Sequence, residues 1–171
     1  MTYKEKVLDF YKNSEIVFSQ AELDKIEYAD FGLGRPEIEG LNLIVYVNNE
    51  RYCAKEMVLL PNQTCPEHRH PRRGNKGEIE GKMETFRVRK GKVYLYVEGL
   101  ETPNIRAKIP ADSAEFYTVL HEIVLEAGEQ YTILPNTKHW FQAADEGAIV
   151  SEFSSPSDDA TDIFTDPNIK R

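Results

Sequence analysis

From Phe31 onward the apolar residues of this chain recur at every second position, in short runs closed off by turn-forming residues. Successive side chains on an extended strand point to opposite faces, so such alternation commits a segment to a half-buried sheet rather than to a helix. The runs cover 43–47, 55–59, 85–89, 92–97, 121–125, 131–134 and 148–153. Between them lie Gly32, Gly34-Arg35-Pro36, Pro61-Asn62, Glu98-Gly99, Ala127-Gly128 and Pro135-Asn136, the residue types that favour tight turns. Many short strands at this spacing predict an all-β antiparallel sandwich or barrel. Before Phe31 the period changes. Val7, Leu8, Phe10 and Tyr11 recur at helical spacing, and Ser19-Gln20-Ala21-Glu22 reads as a capping box that opens a short helix through Leu23 and Ile26. Residues 1–30 are therefore expected to form a helical arm and 31–171 a β-barrel with a C-terminal tail, all in one domain, for which 171 residues at 40% hydrophobic suffice. Two stretches fall outside the strand pattern: 71–81 is rich in Gly, Pro and charge, and 154–171 is acidic with prolines.

Three of the four histidines belong to one arrangement. His68-Arg69-His70 is followed by Glu84, which six intervening residues separate from Gly91, and His139 comes four residues after Pro135. Two histidines one residue apart on a strand share a face, so His68 and His70 can bind one ion side by side while Arg69 turns away. With Glu84 and His139 they make three imidazoles and a carboxylate, a sufficient ligand set for a divalent transition metal that leaves coordination positions open. Ligand type alone does not rank Mn²⁺ above Fe²⁺, Co²⁺ or Zn²⁺. Asp158, Asp159, Asp162 and Asp166 lack the glycine and terminal glutamate of an EF-hand; they read as a solvated acidic tail, folded over the barrel mouth or onto a partner subunit.

A net charge of −8 without a long basic run argues against nucleic acid or an anionic membrane as partner. No apolar stretch is long enough to cross a bilayer, and Met1-Thr2-Tyr3-Lys4-Glu5 opens a charged segment without a signal-peptide core, so the expected location is cytoplasmic. Cys53 and Cys65 are expected to be reduced thiols. An N-terminal arm and open strand edges make a homodimer the expected assembly.

The segments Pro66-Glu67-His68-Arg69-His70, Glu84 to Gly91, and Gly128 through Pro135-Asn136-Thr137-Lys138-His139 resemble the two metal-binding motifs of the cupin superfamily. The sequence departs from that pattern in two places. The stretch from His70 to Glu84 is longer than usual and also contains Glu78 and Glu80, and the glycine common after the second-motif proline is absent. Glu84 is preferred because it alone has Gly91 at the right distance. More specifically, Cys65-Pro66-Glu67-His68-Arg69-His70-Pro71, Lys82-Met83-Glu84-Thr85-Phe86-Arg87-Val88, Pro135-Asn136-Thr137-Lys138-His139-Trp140-Phe141-Gln142, Ser151-Glu152-Phe153-Ser154 and Asp162-Ile163-Phe164-Thr165-Asp166-Pro167 are similar to D-lyxose isomerases. That resemblance implies a cupin-type jelly-roll barrel and a manganese-dependent isomerase that interconverts D-lyxose and D-xylulose, with D-mannose and D-fructose as secondary substrates.

Aldose–ketose interconversion moves one proton between C1 and C2 and one between their oxygens. A carboxylate can carry the first, and a cation can stabilise the enediolate; a metal-assisted hydride shift is the alternative route, which the sequence does not separate from proton transfer. Glu152 is the candidate base and Lys82 the candidate oxyanion partner. Each has an ordinary structural alternative, Glu152 as the polar face of an edge strand and Lys82 as a solvated loop lysine. Trp140, Phe141, Tyr94 and Tyr96 read as core or cavity wall, and His121 as a satisfied structural histidine. A cupin-type phosphoglucose isomerase, favoured by the nearby Arg69, Arg72, Arg73 and Lys76, is the main alternative. An iron dioxygenase and a sugar-binding cupin without activity are the others.

Overall fold

The structure is a computed structural model that describes residues 1–170. Two helices, α1 (Tyr3–Lys12) and α2 (Gln20–Leu23), precede the strands β1 (Glu27–Ala29), β2 (Leu41–Asn48), β3 (Cys53–Leu59), β4 (Thr64–Arg69), β5 (Glu84–Val97), β6 (His121–Glu126), β7 (Gln130–Ile133), β8 (His139–Ser154) and β9 (Ile163–Phe164). Both helices open on capping boxes, Thr2 with Glu5 and Ser19 with Glu22, which satisfy backbone N–H groups that the first turn cannot. The helical arm is shorter than expected, because 27–29 leaves it to pair with β2.

Every strand pair is antiparallel, and β5 and β8 form the spine, paired from Glu84 with Ser154 to Val97 with His139. Both strands bend midway, where the register shifts around Val88 to Val93. At the bend a Cβ on Gly91 (φ +74) would sit 2.1 Å from the Gly147 carbonyl oxygen, so the crossing has room only for glycine. One half of the bent ribbon is flanked by β7 on one side and β3, β2 and β1 on the other; the second half is flanked by β6 and by β4 and β9. The result is the all-β, cupin-type jelly roll expected from the sequence. The runs 85–89 and 92–97 are, however, halves of a single strand, because bulges and Gly91 bend the chain there without ending its pairing.

Leu43, Met57, Phe86, Val88, Leu95, Phe141 and Val150 pack between the two layers. Val7 and Tyr11 of α1 cover the outer face of β2, β3 and β8 at Ile44, Val58 and Ile149, and the Tyr11 hydroxyl donates to the Asn42 and Glu56 carbonyls at 3.1 and 2.9 Å. On the other layer, Trp140 and Tyr96 stack at 4.0 Å beneath the 98–120 connection, which brings in Ala107 and Tyr117. With cover on both faces, β8 is buried almost throughout, which explains why its first half shows no two-residue alternation. Among the described residues no helix is long and apolar enough to cross a membrane.

Candidate metal centre and active site

His68 lies near the end of β4, His70 just beyond it, Glu84 opens β5 and His139 opens β8. All four are buried, and one ligand atom from each lies within 4.8 Å of the others. The turn 135–138 brings His139 into place, since the Asn136 N–H donates to the His70 carbonyl at 3.0 Å. Asn136 adopts φ 61, a left-handed conformation that asparagine tolerates, and so stands in for the glycine the motif lacks. The long 71–81 loop is pinched shut: a Cβ on Gly81 would meet the His70 carbonyl oxygen at 2.1 Å. Glu84 therefore enters beside His70 as it would after a short loop. Glu78 and Glu80 stay within the loop on the surface, bonded to the Lys76 N–H and to Arg72.

Each imidazole is oriented by its Nδ1. The Nδ1–H groups of His68 and His139 donate to the Pro66 and Thr137 carbonyls at 2.8 and 2.9 Å, and that of His70 donates to Asp162 Oδ1 at 2.5 Å. These partners orient the rings and turn three Nε2 atoms toward one point. His70 and His139 Nε2 approach Glu84 Oε1 at 3.1 and 3.0 Å. Although His139 Nε2 is fully buried, it has no hydrogen-bond partner among the described residues, a cost that a bound cation removes. The donor set and this orphaned nitrogen fit a divalent metal.

Lys82 Nζ bridges two carboxylates, Glu84 Oε2 at 2.5 Å and Glu152 Oε1 at 2.8 Å. Ser154 Oγ also donates to Glu152 Oε1, at 3.1 Å. Burial opposes the Lys82 charge, but Glu152 and Glu84 outweigh it and raise the ammonium above its ordinary value. Burial likewise works against Glu84, yet Lys82 and His70 hold its carboxyl well below the usual range. His68 is pushed well down by burial and by His139 and His70. For His70 burial is overcome by Glu84 and Asp162, which lift it to about 9. The sequence-predicted residues thus converge: His68, His70, Glu84, Lys82 and Glu152 line one cavity of about 330 Å³, counting its open mouth, with Phe86, Phe141 and Met57 as apolar wall.

Three further charged lining residues had no role at this site assigned from the sequence, Lys55, Asp159 and Asp162, the two aspartates coming from the acidic tail expected to fold over the barrel mouth or onto a partner. Lys55 carried a signal, since it is in phase with Met57 and Leu59 on the apolar side of its strand. The aspartates carried none beyond membership of an acidic tail. Arg69, Arg72 and Arg73 do not line the cavity. Arg69 faces an outer groove with Lys138, and the other two pair with Glu80 and Asp158. Trp140 and Tyr96 lie in an outer cluster, and His121 Nδ1–H donates to the Leu100 carbonyl at 2.8 Å. Cys53 and Cys65 are buried thiols.

A sequence model of the D-lyxose isomerase family matches residues 27–171. The chain belongs to the D-lyxose isomerase family. It is 62% identical to a D-lyxose/D-mannose isomerase of Thermosediminibacter oceani, over 98% of this chain and 91% of that one. It is 60% identical to a D-lyxose ketol-isomerase of a Thermofilum species, over 98% and 92%, and 55% identical to one of Cohnella laeviribosi, over 98% and 91%. As a fold, this isomerase superposes on L-ribose isomerase of Cellulomonas parahominis with a TM-score of 0.78 at 16% identity, covering 96% of this chain and 92% of that one. An RmlC-like cupin of Shewanella frigidimarina gives 0.51 at 15% identity, over 85% and 94%. The protein is a cupin-fold sugar isomerase.

Proposed function

We propose that this isomerase interconverts D-lyxose and D-xylulose, takes D-mannose and D-fructose as secondary substrates, and works by proton transfer through an enediolate. The observation that carries the reading is Lys82 Nζ between Glu84 and Glu152, at 2.5 and 2.8 Å, in the cavity that His68, His70 and Glu84 also line. His68, His70, Glu84 and His139 are the residues that would hold the metal. Bound there, a divalent ion, Mn²⁺ by resemblance to the family, would supply Lewis-acid stabilisation of negative charge developing on the sugar.

Glu152 accepts the C2 proton of the aldose and returns it to C1, a contribution worth roughly 10²–10⁴ in rate. Lys82 stays protonated between its two carboxylates. It fixes the Glu152 carboxylate and stabilises the negative charge that develops on the sugar oxygens. Phe86 and Phe141 offer aromatic surface to the apolar C–H face of the sugar and exclude water. The lysines lining this cavity are Lys55 and Lys82, and the arginines that would suit a phosphate lie outside it, which supports a free sugar over a phosphosugar.

The test incubates metal-free and manganese-loaded protein with D-lyxose, D-mannose and the corresponding sugar phosphates and follows ketose formation. The expected result is turnover of free D-lyxose, and more slowly of D-mannose, by the loaded protein alone. Turnover restricted to a phosphorylated sugar sinks the reading.

A further inference from the structure

A buried carboxylate outside the cavity gathers the segments that carry the three histidines. Glu67, on β4 just before His68, is 2% exposed and does not line the cavity. Its Oε2 accepts from the Thr118 and Val119 N–H groups at 2.5 and 2.9 Å, and its Oε1 accepts from the Thr118 and Thr165 hydroxyls at 2.8 and 2.6 Å. The Glu67 carbonyl also accepts from the Thr165 N–H, at 3.0 Å. Lys138 Nζ stands 3.6 Å from Oε1.

Burying a carboxylate is costly unless its lone pairs are met. Here they are met from separate parts of the chain, which ties those parts to one another through charge-assisted hydrogen bonds. Each part leads to a different metal ligand. His68 is the next residue in sequence. Lys138 precedes His139, and Val119, held through its N–H, accepts through its carbonyl from Trp140 Nε1 at 2.8 Å, on the other side of His139. Thr165 follows β9, whose Phe164 pairs with His68 and is preceded by the Asp162 that orients His70. Glu39 supplies the contrast. It is 1% exposed, accepts from Arg35, Ser113 and Tyr117, and anchors the same 98–120 connection, but none of these partners adjoins a metal ligand.

Building on the metal-centre reading above, we infer that Glu67 is a positioning residue for the metal, acting through the histidines: it sets the mutual placement of His68, His70 and His139 and so tunes affinity for the ion. The test titrates full-length, metal-free protein with Mn²⁺ and follows free and bound ion by electron paramagnetic resonance. Glu67→Gln keeps the shape of the side chain but leaves one acceptor oxygen in place of two. It should weaken Mn²⁺ binding roughly tenfold, the lower end for residues that orient metal ligands, and change the spectrum of the bound ion. Thr165→Val removes only the hydroxyl between Glu67 and the segment after β9; it should give a smaller loss of the same kind and serves if Glu67→Gln does not fold. Thr165→Ser, which keeps the hydroxyl, should bind as the wild type does. Glu39→Gln should lower the Tm of the metal-free protein and leave Mn²⁺ affinity unchanged. Wild-type affinity and spectrum in both Glu67→Gln and Thr165→Val, whatever their Tm, overturn the inference, as does an equal loss of affinity in Glu39→Gln; either result leaves the metal centre standing. Failure of the wild-type protein to bind Mn²⁺ removes both.

Discussion

His70 is the residue at which protons and metal compete. In the ion-free protein its imidazole is raised to about 9 by Glu84 and Asp162 against the effect of burial. A histidine raised in this way contributes stability that is fully present below its ordinary value near 6.5 and is lost as pH climbs through about 9. A metal must displace that proton, so apparent affinity should rise about tenfold per pH unit across the same window, each tenfold being about 1.4 kcal/mol. At fixed free Mn²⁺, the gap in Tm between loaded and chelator-treated protein should therefore widen from pH 6.5 to 9. A flat gap would contradict the assignment of His70 as a ligand. The histidines were legible in the sequence because one-residue spacing on a strand fixes a shared face. Asp162 was not, since its contact with His70 spans 92 positions and an aspartate in an acidic tail has no local feature to distinguish it. Lys55 was half legible: its phase placed it on the apolar face, but only the fold supplied Ser157 and Asp159 as partners.

Among the elements, the β5–β8 ribbon sets the positions of the catalytic candidates, because Glu84 and Glu152 lie on neighbouring strands of its outer half. Its bend depends on Gly91, whose φ is +74 and whose Cβ would meet backbone 2.1 Å away. Gly91→Ala should cost roughly 2–3 kcal/mol, a fall in Tm of roughly 5–10 °C. Gly128→Asn is the control, at φ +93 with nothing within 4 Å of an added Cβ, and should cost less than about 1 kcal/mol. Equal losses in thermal melts of the two variants would contradict the steric account. The same glycine explains where strand prediction fell short. A glycine flanked by charges reads as a turn in sequence, and only cross-strand pairing shows that the chain bends and continues. The 71–81 loop shows the opposite case, in which an insertion that lengthens the motif is closed off at Gly81 and leaves the ligand geometry untouched.

At the scale of the whole molecule, the jelly roll was readable because alternation and turn residues constrain it through most of the chain. The fold is shared with L-ribose isomerases at 14–16% identity, which shows how little sequence it requires. A barrel of this kind hosts many reactions around similar ligands, so the proposed chemistry rests on the residues beside the metal centre rather than on the fold. The C-terminal segment after β8 belongs to that site as much as the barrel does. It delivers Asp159 and Asp162 to the cavity and ties Thr165 to the buried Glu67, next to His68, at 2.6 Å. The account stands or falls with Glu152 as the proton carrier. Glu152→Gln preserves shape and a hydrogen bond to Lys82 but cannot shuttle a proton at neutral pH. Measured on manganese-loaded protein with D-lyxose, it should retain wild-type metal content while kcat falls roughly 10²–10⁴-fold; wild-type turnover by the variant would contradict the proposed mechanism.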